Sequence, residues 1–162
     1  MSSDTIYVAV VGAGGKEPVT DAAAEESGRL IAERGGVVVC GGLGGVMEAA
    51  CRGAKNAGGA TVGILPSAER RHANPYVDVA IATGIGEMRN ALIVRTSDVL
   101  LAIGGEYGTL SEIAFALKIG RPVVGVGSWD LARAKEGATG MIRAASPAEA
   151  VEAAFDAARA RR

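Results

Sequence analysis

Asp98–Ile119 reads DVLLAIGGEYGTLSEIAFALKI, and the architecture follows from how that stretch changes character along its length. Its first part is a short, unbroken apolar run ending at Ile103, bounded by Asp98 and two glycines, which reads as a strand covered on both faces. From Thr109 the apolar residues return with helical spacing. A glycine-rich turn therefore joins a buried strand directly to an amphipathic helix. Such a turn is a natural seat for an anion, because glycine lets backbone amides approach a ligand and a helix start adds about half a positive charge. A carboxylate at Glu112, one turn into that helix, then needs a reason.

The same alternation runs through the chain. Valine- and isoleucine-rich runs predict strands at Ile6–Val11, Val37–Cys40, Thr61–Leu65, Val77–Ile81, Val99–Ile103, Val123–Val126 and Met141–Ala144. Alanine-rich segments of helical period predict helices at Thr20–Arg34, Gly45–Ala57, Gly86–Thr96, Thr109–Ile119 and Pro147–Arg161. The last starts cleanly in SPAE, with Ser146 as cap, Pro147 first in the helix and Glu149 reaching back. The expected fold is α/β, a Rossmann-like doubly wound parallel sheet of about seven strands with helices on both faces. Its 162 residues fit a single domain, residues 1–162. PSAERRHANPYVD (residues 66–78) is polar with two prolines and reads as a surface excursion, with Asn74, Pro75 and Tyr76 as a lid over a ligand.

Composition narrows the function. A net charge of −1 with both signs scattered gives no phosphate-backbone footprint, so no nucleic acid is expected, and ARARR at the C-terminus reads as a solvated helix end. Cys40 and Cys51 lack the spacing of a zinc site or redox pair, and they read as buried thiols; no metal site is expected. No apolar run approaches the roughly 18 residues of a membrane span, and nothing at the N-terminus resembles a signal peptide. The expectation is a soluble, cytoplasmic protein.

In an open parallel sheet, ligands sit beyond the carboxyl ends of the strands at a topological switch point. The glycine clusters fall at such ends: GAGGK (Gly12–Lys16), GGLGG (Gly41–Gly45), GIGEMRN (Gly84–Asn90) and GGEYGT (Gly104–Thr109). Gly12, Gly14, Gly15, Gly41, Gly42, Gly44, Gly45, Gly105, Gly108 and Thr109 are the candidate phosphate-binding positions, the alternative being plain tight turns. Neither a P-loop nor a dinucleotide fingerprint is present. Lys16 is either an added charge or a solvated side chain. Arg89 is placed to grip a phosphate or carboxylate with two parallel bonds, or else to pair with Glu87 or Glu112. For Glu112 the plainer reading is a capping box, TLSE, in which Thr109 and Glu112 exchange hydrogen bonds. His72 reads as solvated, and Trp129 as either a stacking platform beside the cleft or a packing residue.

GGEYGTLSE resembles the PGG-x-GT-x-x-E signature of the LOG-like family of the SLOG superfamily, whose better known members are cytokinin-activating phosphoribohydrolases. VVVCGGLGGVMEAACRGA and GGATVGILP resemble that family's first glycine loop and third strand, so that the likeness runs from Ile6 to Val126. It implies hydrolysis of the N-glycosidic bond of a nucleoside 5'-monophosphate, with Glu112 as the catalytic glutamate, Arg89 as the motif arginine, and Gly105, Gly108 and Thr109 as the phosphate-holding turn. No further cofactor is implied. The pattern is broken at four positions: Gly104 and Glu106 replace the motif's proline and second glycine, and Met88 and Asn90 replace a glutamate and a lysine. These changes resemble a smaller branch containing molybdenum cofactor carrier proteins, which implies a bound nucleotide monophosphate or molybdopterin-type ligand without turnover. Enzyme, carrier and oligomeric scaffold are the readings open at this point. The resemblance, with the apolar runs ALIV and IAFALKI, also implies a homo-oligomer, a dimer or higher.

Overall fold

The computed structural model describes residues 4–131 and 140–162. Strands β1 (Tyr7–Gly12), β2 (Val37–Cys40), β3 (Ala60–Leu65), β4 (Val79–Ala82), β5 (Val99–Ile103), β6 (Val123–Val126) and β7 (Ile142–Ala144) form one sheet. Its order is β4-β3-β2-β1-β5-β6-β7 and each neighbouring pair is parallel. The helices are α1 (Pro18–Glu33), α2 (Val46–Asn56), α3 (Asn90–Thr96), α4 (Tyr107–Lys118) and α5 (Pro147–Ala160). This is the Rossmann-like α/β architecture that the alternating pattern predicts. None of the described helices is long and apolar enough to cross a membrane.

Successive strand residues point to opposite faces, and the two faces build separate cores. Val8, Val10 and Val38 pack beneath α1, α2 and α5, against Ile31, Ala50, Ala54 and Phe155. Ala9, Val11, Val37 and Val39 pack beneath α3 and α4, against Ile93, Val94, Ile113 and Ala116. Both sides of the central strands are dry, which is why their sequences are continuous apolar runs and not alternating ones. On the first face α1 and α2 touch backbone to backbone. A methyl group on Gly53 would lie 1.9 Å from the Glu25 carbonyl oxygen, and one on Gly28 would lie 2.0 Å from that of Ala50.

Several boundaries differ from the sequence expectation by one to a few residues, and three of the differences bear on the site or its surroundings. β4 starts at Val79 and not Val77, because residues 76–78 are tied sideways to β3: the Thr61 hydroxyl donates to the Tyr76 carbonyl at 2.7 Å and the Asp78 carboxylate accepts from the Thr61 amide at 3.0 Å. Residues 86–89 form a 3₁₀ turn, and the α-helix proper begins only at Asn90. α4 begins at Tyr107, two residues before Thr109. The expected start of α5 holds, with the Ser146 hydroxyl accepting from the Glu149 amide at 3.3 Å, although Glu149 reaches back one residue further, to the Ala145 amide at 2.9 Å.

Strand order reverses between β1 and β5. β2, β3 and β4 are laid down on one side of β1, while β5, β6 and β7 lie on the other. The loops leaving β1 and β5 therefore diverge and open a crevice at the carboxyl edge of the sheet. Cys40 and Cys51 are buried and free, their sulfurs 3.5 Å apart beneath this edge.

Candidate functional site

A cleft of about 590 Å³ opens at that switch point. It is lined by the end of β1 and its loop (Val10–Gly14), by Gly41, Leu43 and Met47, by Pro66, by Glu87, Arg89 and Asn90, and by the start of α4 at Glu106–Thr109, Ser111 and Glu112. The loops after β1, β2, β4 and β5, far apart in sequence, meet there.

Of the candidate positions, the structure brings together Gly12, Gly14, Gly41, Gly108, Thr109, Arg89 and Glu112. Gly15, Gly42, Gly44, Gly45 and Gly105 do not line the cleft. Gly45 has φ 61 and lies so close to the first loop that a methyl group on it would meet the Ala13 oxygen at 2.3 Å. The amide of Val46 donates to that oxygen at 3.1 Å, so the start of α2 is spent on holding the first loop. Gly42 accepts from the Asn74 amide at 2.9 Å, and the Asn74 side chain donates to the Leu43 carbonyl at 2.9 Å. The expected lid at Asn74–Tyr76 is thus corrected: Asn74 is a buried brace for the second loop. Gly105 instead lines a second hollow of about 310 Å³, with Gly104, Gly127, Ser128 and Trp129.

Arg89 is 7% exposed and lies across Gly41, where a methyl group would sit 2.5 Å from its Nη2. Only glycine at position 41 leaves room for the guanidinium. Asn90 Oδ1 accepts from Arg89 Nη1 and orients the fork, whereas Nε is buried without a partner. Burial pulls the pKa of Arg89 below its ordinary value, opposed by Glu112, but a guanidinium stays charged under ordinary conditions.

Glu112 is also 7% exposed. Because α4 starts at Tyr107, the capping box does not form: Glu106 is the cap residue, no side chain caps the helix, and Glu112 lies inside it. Glu112 forms no ion pair with Arg89 close enough to neutralise it, and burial pushes its carboxyl pKa up to about 8, with Arg89 pulling the other way. At neutral pH it is mostly the uncharged acid, a hydrogen-bond donor.

Sequence reasoning passed over Met47, Leu43 and Ser111, which carry no chemical signature, and Tyr107, which lies in the motif's variable place. Tyr107 is 82% exposed at the mouth, its ring 5.9 Å from that of Trp129. The Trp129 indole N–H donates to the Glu106 carbonyl at 3.3 Å, so Trp129 flanks the cleft region while also packing on the α4 side of the sheet. His72 is exposed. Among the described residues, no group of three or more His, Cys, Asp or Glu is placed to hold a metal ion.

The model of the SLOG cluster4 family matches residues 5–151. The chain belongs to the SLOG cluster4 family. This SLOG cluster4 chain is similar to the molybdenum cofactor binding protein of the phototrophic bacterium Rippkaea orientalis, with 39% identity, 94% of this chain and 96% of that one covered, and a TM-score of 0.86. It is similar to the molybdenum cofactor carrier protein of Chlamydomonas reinhardtii, at 34% identity, 94% and 98% coverage and a TM-score of 0.85. It is also 31% identical to a probable cytokinin riboside 5'-monophosphate phosphoribohydrolase of Oryza sativa over 62% of this chain. The SLOG cluster4 chain spans 45% of the length of that rice relative.

Proposed function

We propose that the cleft binds a phosphorylated small molecule bearing a heterocycle, of the nucleotide or molybdopterin type, and holds it without turnover. One observation carries this reading: a buried guanidinium lies across Gly41 with one donor unfilled, at the meeting point of loops from both halves of the sheet. A guanidinium fork matches the needs of a phosphate. Three carboxyl groups line the same cleft, Glu87, Glu106 and Glu112. If all were ionised they would oppose an anion. Glu112, the deepest, is held neutral at pH 7 and donates to the ligand instead of repelling it. Whole-length likeness to binding and carrier proteins supports the same conclusion.

A second reading, phosphoribohydrolysis, is favoured by Glu112 itself. A protonated carboxyl in a dry pocket is a general acid that can deliver a proton to a departing base. Against it, an uncharged Glu112 cannot supply the negative charge that stabilises oxocarbenium character on the sugar.

The proposed setting is the cytoplasm, and the proposed assembly is a homodimer. Incubating the purified protein with AMP and assaying for adenine separates the two readings. We expect AMP, a pterin phosphate or inorganic phosphate to bind without release of base, and Arg89→Met to weaken binding by at least about tenfold. Adenine release by the wild type that Glu112→Gln abolishes would replace the carrier with a hydrolase. Failure of all three probes to bind would remove the phosphate site.

A further inference from the structure

We infer that Glu106, with the Tyr107 and Trp129 rings, selects the heterocycle of the ligand, favouring rings that present two adjacent N–H donors along one edge, as guanine and pterins do. The inference rests on the phosphate reading above and adds the orientation and class of the ligand.

Glu106 is the cap residue of α4, yet its carboxylate accepts no hydrogen bond from the helix, and it forms no ion pair among the described residues. An acidic cap ordinarily satisfies the amides of the first turn. Here both partners are left open toward the cleft, which Glu106 lines together with Tyr107, Gly108 and Thr109. A carboxylate in that position repels a phosphate. It is complementary to a donor-rich edge, and the repulsion sets the orientation: phosphate toward Arg89 and the neutral Glu112, ring toward the mouth.

The mouth holds what a flat ring needs. Tyr107 is 82% exposed, although an aromatic ring in water forgoes burial that the fold does not supply. Its ring is 5.9 Å from that of Trp129 at an interplanar angle of 35°. Trp129 is fixed in turn by its indole N–H on the Glu106 carbonyl at 3.3 Å. One residue therefore anchors the aromatic pair through its backbone and offers an acceptor through its side chain.

Ring chemistry then decides selectivity. Guanine and pterins place a ring N–H beside an exocyclic amino group, so that both donate to the two oxygens of one carboxylate. Adenine presents an acceptor nitrogen where the second donor would be, leaving one oxygen facing a lone pair. Such a pair discriminates against the mismatched analogue, because one of two charge-assisted hydrogen bonds is lost and a carboxylate oxygen is set against a lone pair.

Calorimetric titration of the full chain with GMP, AMP and inorganic phosphate tests this, with Glu106→Gln in parallel. Wild type is expected to bind GMP at least about tenfold more tightly than AMP, and the variant to bring the two within about twofold without weakening phosphate binding, since it removes a repelling charge. Trp129 is the only tryptophan, so saturation with GMP must also change its emission. Equal affinity for GMP and AMP in the wild type, a preference that survives Glu106→Gln, or unchanged emission at saturation would each overturn the assignment. In the first two cases the phosphate reading stands. If none of the three ligands binds, both readings fall together.

Discussion

Glu112 illustrates how strongly a solvent boundary governs a single ionisable group. Its ordinary carboxyl pKa of 4.5 rises to about 8 because the charged form loses its hydration and Arg89 only partly compensates. The folded protein then binds a proton that the unfolded chain releases, so stability is greatest below about pH 4.5 and is lost as pH climbs through about 8. Glu112→Gln removes that dependence. In urea unfolding, the variant and the wild type should agree closely near pH 4.5 and diverge above pH 8 in favour of the variant, by an amount on the order of a few kcal/mol. A difference that does not change with pH would show that the carboxyl is solvated. The sequence could offer Glu112 and Arg89 as a pair, since each lies just past a strand end beside glycines. It could not separate a capping role from a cleft role for Glu112, because that turns on α4 starting at Tyr107 and not Thr109, a two-residue shift to which helical periodicity is blind.

Secondary structure was largely legible because buried parallel strands announce themselves as unbroken β-branched runs and glycine marks where each ends. What local pattern misses is a segment held by distant partners. Residues 77 and 78 look like strand but are drawn off β4 by the bonds of Thr61 to Tyr76 and Asp78, and Asn74 braces a loop 31 positions away through its bond to Leu43. Glycines pose the same difficulty: GGLGG shows that close approach happens, not which glycine approaches what. Gly41 makes room for Arg89, Gly45 receives the first loop, and Gly53, outside any cluster, lets α2 lie on α1. Because the obstacle at Gly53 is backbone, which cannot rotate away, Gly53→Ala should destabilise by about 3 kcal/mol, at the upper end of the usual cost of overpacking. Thermal unfolding checks this. A variant as stable as the wild type would show that α1 and α2 can slide apart freely.

The whole molecule leaves apolar surface that a lone copy has no use for. Val79 and Ile81 on edge strand β4, Ile85 and Met88 in the turn before α3, and Leu92 on α3 are exposed, with Met88 at 79%. These residues lie on consecutive elements beside the cleft wall that carries Glu87 and Arg89. A dimer formed there would cover them, and light scattering should then give twice the chain mass for the wild type and a monomer mass for Met88→Glu. A wild-type monomer would refute the pairing. The reversal of strand order between β1 and β5 has one more consequence. Arg89 arrives from one wing of the sheet and Glu112 from the other, so neither wing owns a complete site. On the proposed reading, binding and global folding are therefore linked: fraying along the seam between β1 and β5 would dismantle the cleft, and a guest gripping both sides would act as a clasp on the scaffold.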